Sequence, residues 1–422
     1  MVDVQDANAA LVFSKGSRSY SPGFARQPQP SFEDESLAFF ISEYCIYPAP
    51  GVFRGHLDFL EGLYRNSSRH SCIRPATLAV AYMVLSRHYK SSTLYVTARS
   101  HYGAALRTVN RDLSASKRPL KDETLASLML MGMIEDIECQ GQTTKAVHMA
   151  GISKLFEVLF YSMGPKTQTK QIPSLLAKDD MECLAIPDAH LDTKRHGVRL
   201  ALVVTRIGHF YRAARQITAA DSPLTGAEKQ TQLVSSIKQA LAIAKELAMI
   251  EKDAIPTKLR PRETADRRPA TPTNQNLISF DSRWTACTWC QFTLFLVLFF
   301  ERLYKCSDAL LQLGSIDDGA MQLARTAGAI SEGQIKAMIH RVCSCMPYMM
   351  GEVDKQGRPL SGPERQSVIM YHLVWPLSVI IVSPHSSPEQ VEDCKMRLIS
   401  IRDLYGIRLA YFAPDLARDL MV

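Results

Sequence analysis

The spacing of apolar residues is the feature that most restricts what this chain can fold into. From Leu37 onward, apolar residues recur at helical intervals in one segment after another. Two-residue alternation bounded by Asn-Gly or Asp-Gly turns, which marks β-hairpins, is missing. Of the 422 residues, 46% are hydrophobic, so the chain can bury a substantial core. The sequence therefore predicts an all-α fold.

Local patterns predict where several helices begin and end. Pro75 suits the first turn of a helix, where its missing N–H group costs nothing. Asp122 is a predicted N-cap, and Ser387-Pro388-Glu389-Gln390 matches a capping box. Gly351 is predicted to terminate a helix that Pro347 kinks or ends just before it.

Two polar segments set the expected domain organisation. Residues 1–35, rich in Ser, Pro, Gln and Gly, are predicted to form a flexible N-terminal arm. Residues 258–276 contain three prolines and four arginines, and they are predicted to form an exposed basic linker. The helical patterns on its two sides have the same character. We therefore expect the linker to interrupt one large helical domain, residues 36–422, rather than to separate two.

The most apolar stretch runs from Trp284 to Phe300. It contains Gln291 and several threonines, and it is shorter than the roughly 20 residues that a membrane span needs. We therefore expect no membrane span, and instead a helix that belongs to the core or lines an apolar interior pocket. The candidate pocket-lining residues are Phe292, Thr293, Phe295, Leu296, Phe299 and Phe300.

Cysteine usage and the N-terminal sequence indicate an intracellular protein. The ten cysteines are scattered through apolar, helix-like stretches, as reduced thiols usually are. Cys287 and Cys290 have the spacing of a redox motif, but no strand precedes them, so they are predicted to be packed thiols. The first residues show no secretion signal, and the net charge of +7 is mild. We expect a nuclear or cytoplasmic location.

Motifs for common enzyme classes are absent from the sequence. There is no G-x-S-x-G elbow, no phosphate-binding G-x-x-x-x-G-K-[ST] loop, no G-x-G-x-x-G after a strand and no H-E-x-x-H. Ordinary hydrolase, NTPase, dehydrogenase and zincin activities are therefore not predicted.

Several helical segments together resemble the regulatory domain that follows the zinc cluster in fungal Zn2Cys6 transcription factors. The segments are LAFFISEYC with GHLDFLEGLY, ARSHYGAALRTVNRDLSASKRPLKDETLASLMLMGMIEDI, HMAGISKLFEV, VCSCMPYMMG, and YHLVWPLSVIIVS with RLISIRDLYGIRLA. They extend from Leu37 to Ala410. The resemblance implies an all-α domain that can enclose an apolar effector pocket and control transcription.

The sequence departs from this family in two places. No cysteine precedes Cys45, so the zinc cluster is absent and we expect no direct contact with DNA; a cluster encoded by an upstream exon is the alternative. After Trp289 the family commonly has an Asn and two Arg, where this sequence has Cys290, Thr293 and Leu296. These smaller or less polar side chains suit either a pocket for a lipophilic metabolite or an ordinary core.

Two functional hypotheses follow. The first is a regulator in secondary metabolism that needs no cofactor and either senses a lipophilic metabolite or pairs with a full-length regulator or coactivator. The second is a Mg²⁺-dependent cyclase that ionises an isoprenoid diphosphate, because clustered carboxylates can hold Mg²⁺ at a diphosphate. The candidate metal ligands are Glu135, Asp136 and Glu138, and a second acidic group comprises Asp179, Asp180 and Glu182. The candidate diphosphate-binding residues are Arg199, Arg206, Arg212, Arg302 and Lys305.

Overall fold

A computed structural model describes residues 31–47, 55–114, 121–139, 191–219, 222–254, 261–265, 276–314, 316–361 and 366–421. Twelve helices lie in these ranges, which confirms the all-α prediction. The first seven are α1 (Phe32–Tyr44), α2 (Leu60–Asn66), α3 (Ile73–Tyr89), α4 (Ser92–Ser114), α5 (Asp122–Glu138), α6 (Leu191–Thr218) and α7 (Gly226–Ala254). The other five are α8 (Arg283–Leu311), α9 (Asp318–Met349), α10 (Ser367–Val382), α11 (Pro388–Tyr405) and α12 (Leu409–Met421).

The helix ends follow the local capping chemistry closely. The predicted capping box at Ser387 and Gln390 is confirmed, with both side chain to backbone hydrogen bonds present. Pro75 lies in the first turn of α3, as expected. The N-cap of α5 is Lys121 rather than Asp122, one residue earlier than predicted.

The helix that precedes Gly351 continues through Pro347. It ends at Met349, and Gly351 has a φ of 71°, the left-handed conformation that glycine tolerates best. Pro347 therefore does not end the helix, whereas Gly351 lies at its terminus as predicted.

The first helix begins inside the range assigned to the flexible arm. Ser31 caps α1 by accepting a hydrogen bond from the backbone N–H of Asp34 at 3.1 Å, and the helix starts at Phe32. Three acidic residues in its first turn also favour this start, since the helix dipole is positive there. Residues 1–30 lie outside the described residues.

Part of the predicted basic linker pairs with the residues that follow it. Strand β1 (Arg262–Ala265) runs antiparallel to β2 (Asn276–Ser279) in a two-stranded sheet. Leu277 and Ile278 of β2 are buried, and β2 packs against α9. Arg262 remains exposed and pairs with Asp281 at 2.6 Å. The sequence missed this sheet because four-residue strands are too short to show a reliable alternation.

Two helices form the centres of the packing. Helix α3 is buried along most of its length, between α1, α4 and α5. Helix α8 packs mainly against α9 and also against α6, α7 and α10. Contacts of α10 with α1 and of α12 with α5 join the two groups, and the buried apolar side chains form one continuous core.

Helix α8 is the predicted apolar helix, and it extends further in both directions than expected. Within the described residues it is the one helix long and apolar enough to cross a membrane, and 56% of its most apolar stretch is buried within the protein. Such burial is typical of a core helix. Cys287 and Cys290 lie buried in it, and Cys290 Sγ is 3.6 Å from Met349 Sδ, so the pair consists of packed free thiols as predicted.

Candidate functional site

The three candidate metal ligands at the end of α5 each accept a hydrogen bond from a tyrosine. Glu135 accepts from Tyr102 at 2.5 Å, and Asp136 accepts from Tyr371 at 2.6 Å. Glu138 accepts from Tyr95 and also pairs with a guanidinium nitrogen of Arg99 at 2.8 Å. The three side chains therefore connect α5 to α4 and α10.

The three tyrosine hydroxyls have raised pKa values. Burial and the hydrogen bond to Glu135 raise the pKa of Tyr102, while the hydrogen bond to Glu138 and partial burial raise the pKa of Tyr95. Burial and the adjacent Asp136 raise the pKa of Tyr371. Each phenol thus remains a donor to its carboxylate, and the acidic cluster acts as a set of links between helices.

No group of three or more His, Cys, Asp or Glu side chains is arranged to hold a metal ion in the described part of the chain. The second acidic group, Asp179, Asp180 and Glu182, lies outside the described residues. Metal binding at Glu135, Asp136 and Glu138 stays a prediction, and these tyrosine contacts do not favour it.

The sequence contained a signal for the partners on α4, because positions 95, 99 and 102 follow the i, i+4, i+7 spacing of one helix face.

Addition of Mg²⁺ is expected to leave the melting temperature unchanged, because each carboxylate already has a donor. The measurement is thermal unfolding with and without millimolar MgCl2 at matched ionic strength. The double variant Glu135→Gln/Asp136→Asn should respond as the unmodified protein does, and Glu392→Gln, an exposed carboxylate on α11, is the control. Stabilisation by Mg²⁺ that disappears only in the double variant would instead support the metal site.

The candidate diphosphate-binding residues differ in exposure and in partners, although Arg302 and Lys305 lie near each other in α8. Arg206 pairs with Glu246 of α7 at 2.6 Å, and Arg212 is exposed. Arg302 is only 2% exposed, and its guanidinium carbon lies 4.7 Å from the ring centre of Tyr211. Arg199 lies in α6, but its side chain is outside the described part of the structure.

The candidate pocket-lining residues of α8 pack in and against the core. Phe299 and Phe300 are buried, with ring centres 5.0 Å apart, and the Thr293 hydroxyl donates to the Trp289 carbonyl at 2.9 Å. Phe292, Phe295 and Leu296 are partly buried against the same core. None of the six lines the cavity described next, so whether any of them meets a ligand stays a prediction.

A cavity of about 650 Å³ lies between α8, α9 and the segment that joins α10 to α11. We call it the Glu301 cavity, after the buried carboxylate behind its lining. The lining residues are Tyr304, Glu332, Lys336, Pro384, His385, Ser386, Ser387 and Gln390. Sequence reasoning missed it because its lining comes from three distant stretches, of which only the capping box attracted attention.

Glu301 and His385 form the most distinctive polar contact beside this cavity. Glu301 is 3% exposed and accepts a hydrogen bond from the Ser383 hydroxyl at 2.7 Å. Its second oxygen lies 3.7 Å from His385 Nε2, which is buried and has no hydrogen-bond partner among the described residues. The His385 ring meets the Tyr304 ring edge-on at 4.9 Å. A buried carboxylate thus faces an imidazole that lines the cavity.

Burial and nearby charges shift the pKa values of two ionisable side chains beside the cavity. Burial raises the pKa of the Glu301 carboxyl, and Ser383, His385 and Lys305 offset part of that rise. Burial and the nearby Arg302 lower the pKa of Lys305.

One known protein family resembles part of this chain. Residues 39–179 match the family model described as the fungal specific transcription factor domain. This part of the chain is therefore similar to a fungal specific transcription factor domain. The matched range includes the described helices α2 to α5 and the C-terminal part of α1, whereas the Glu301 cavity lies beyond its end.

An uncharacterized protein of Emericella nidulans is 32% identical to this chain over 102 residues. The aligned part covers 24% of this chain and 21% of that protein, so the likeness is to a fragment of its length. No solved structure matches the chain significantly.

Proposed function

We propose that this protein is a transcription-factor-like regulator that responds to a small molecule bound in the Glu301 cavity. The fungal transcription factor domain at residues 39–179 is the observation that carries the regulatory role. It also favours a nuclear location. Pairing with a full-length regulator or coactivator stays a prediction that is compatible with this role.

The lining of the Glu301 cavity indicates the chemistry of the effector. It offers an imidazole, a phenol, two serine hydroxyls and an amide, together with Glu332 and Lys336, which pair at 2.6 Å. These groups match a ligand with several hydrogen-bonding groups better than the wholly lipophilic metabolite that the sequence suggested. Entry of such a ligand would supply His385 with a partner and alter the balance of charge at Glu301.

The regulatory role is tested by fusing the full chain to an unrelated DNA-binding module upstream of a reporter gene. We expect reporter output to differ from that of the module alone, because the helical domain would recruit or block transcription once it is held at a promoter. Deletion of the gene should also change transcript levels in the fungus that carries it. An unchanged reporter together with an unchanged set of transcripts would contradict the role.

The cavity is tested by native mass spectrometry of the protein purified from a fungal host. We expect a bound molecule that is lost or reduced in His385→Asn, since the lining imidazole would no longer contact it. His340→Asn, which changes an exposed histidine on α9, is the matched control and should retain the molecule. Equal occupancy in both variants would rule out the Glu301 cavity as the binding site while leaving the regulatory role open to the reporter test.

The cyclase hypothesis has no comparable support. Two of its proposed metal ligands, Glu135 and Asp136, each accept a hydrogen bond from a tyrosine. It stays a prediction, and Mg²⁺ would be its cofactor.

A further inference from the structure

Three arginines and one carboxylate meet where the C-terminal ends of α3 and α5, the start of α4 and the α11–α12 turn come together. Arg87 in the last turn of α3 is half-buried, and its guanidinium carbon lies 5.6 Å from the ring centre of Tyr95. The Nε of Arg87 is buried without a hydrogen-bond partner among the described residues. A buried donor of this kind costs free energy unless something accepts from it.

The α11–α12 turn brings Arg408 to the same place. Gly406 has a φ of 66°, and a methyl group at its Cα would lie 3.0 Å from Arg87 Cβ, so the turn rests directly on the Arg87 side chain. Two residues later, the N–H of Arg408 donates to the carbonyl of Ile137 at 3.1 Å, next to Glu138. The Arg408 side chain is exposed and makes no ion pair with any described residue.

Positive charge is in excess at this place. Arg87 and Arg99 lie near Glu138, and Glu138 is already engaged by Arg99 at 2.8 Å and by Tyr95. Arg408 lies near enough to Arg87 to lower the pKa of Arg87, after the larger effect of burial. Two guanidinium groups near each other repel, and an anion that contacts both would offset that repulsion.

We propose that Arg87 and Arg408 form a binding site for an oxyanion, a phosphate or carboxylate group. Guanidinium groups present paired N–H donors that match the oxygens of these groups, and the Tyr95 ring holds one of them in place. The site is separate from the Glu301 cavity and does not depend on the function proposed for that cavity. The sequence offered no hint of it, because the two arginines are more than 300 positions apart.

The test measures binding of inorganic phosphate and, separately, of acetate to the full chain by isothermal titration calorimetry in a chloride buffer of constant ionic strength. Phosphate is expected to bind about tenfold more weakly to Arg408→Gln, because one charge-assisted contact is lost. Arg408→Lys keeps the charge without the paired donors and should fall in between. The control is Arg418→Gln on α12, whose side chain is exposed and pairs with Asp415.

Arg87→Gln should weaken binding as well; if it fails to fold, Arg408→Gln alone decides, since that side chain is exposed. Binding of phosphate but not acetate would assign the site to phosphorylated ligands, and the reverse result would assign it to carboxylates. Either result supports the site. Absence of binding by both anions, or equal binding by Arg408→Gln and Arg418→Gln, would overturn it.

Discussion

Truncation of Phe299 to alanine is expected to lower the free energy of unfolding by about 3–5 kcal/mol. The ring is fully buried in α8, and its centre lies 5.4 Å from that of Phe210 and 5.0 Å from that of Phe300. Helix α8 is the centre of the C-terminal packing, so a cavity at Phe299 cannot be filled without moving several neighbours.

Urea unfolding followed by circular dichroism measures this loss. Phe292→Ala in the same helix is the matched control, because Phe292 is only partly buried and should cost clearly less. A small cost at Phe299, similar to that at Phe292, would contradict its placement in a tightly packed core. It would revive the alternative that Phe299 faces a ligand pocket.

Acidification from pH 6.5 towards pH 4 is expected to destabilise the protein through a pair of histidines. His372 Nε2 lies 3.2 Å from His56 Nδ1, and both rings pack near Trp284. Burial lowers the pKa of His372 to about 4, and burial together with His372 lowers the pKa of His56. In the unfolded chain both would titrate near the ordinary value of 6.5.

The sign of the effect follows from proton binding. Below pH 6.5 the unfolded state takes up protons that the folded state refuses, so the free energy of unfolding decreases as the pH falls. For His372 alone the loss amounts to about 2 kcal/mol at pH 5, and it stops growing near pH 4. Above pH 7 both states are neutral at these residues and the contribution vanishes.

The measurement is urea unfolding at several pH values between 4.5 and 7.5. His372→Gln should show a shallower decrease on acidification, since it removes one of the two titrating groups. His340→Gln, at an exposed position of α9, should show the same decrease in the free energy of unfolding on acidification as the unmodified protein. An identical pH dependence in His372→Gln would show that the buried histidines are not its source.

Local sequence was sufficient wherever the determining contacts lie within a few residues. The capping box at Ser387 and the position of Pro75 were predicted correctly, because a helix start depends on hydrogen bonds to the next turn. The end of the α9 helix at Gly351 was also predicted, although Pro347 does not end the helix before it.

The candidate sites were less predictable, because the sequence does not show which distant residue a polar side chain will contact. Glu135 and Asp136 suggested a metal site, yet Asp136 meets Tyr371, 235 positions away. Arg302 suggested a phosphate contact but is buried against Tyr211.

By itself, the sequence determined that this chain is helical, where many of its helices begin, and that its cysteines at 287 and 290 are packed thiols. Apolar periodicity and capping act over one or two turns, so they can be read without knowing the fold. Only the tertiary structure decided that Glu301 faces His385 across 84 positions, or that the turn at Gly406 rests on the Arg87 side chain. These contacts depend on how helices that are distant in sequence pack against each other. The sequence pattern of each helix is compatible with many such packings.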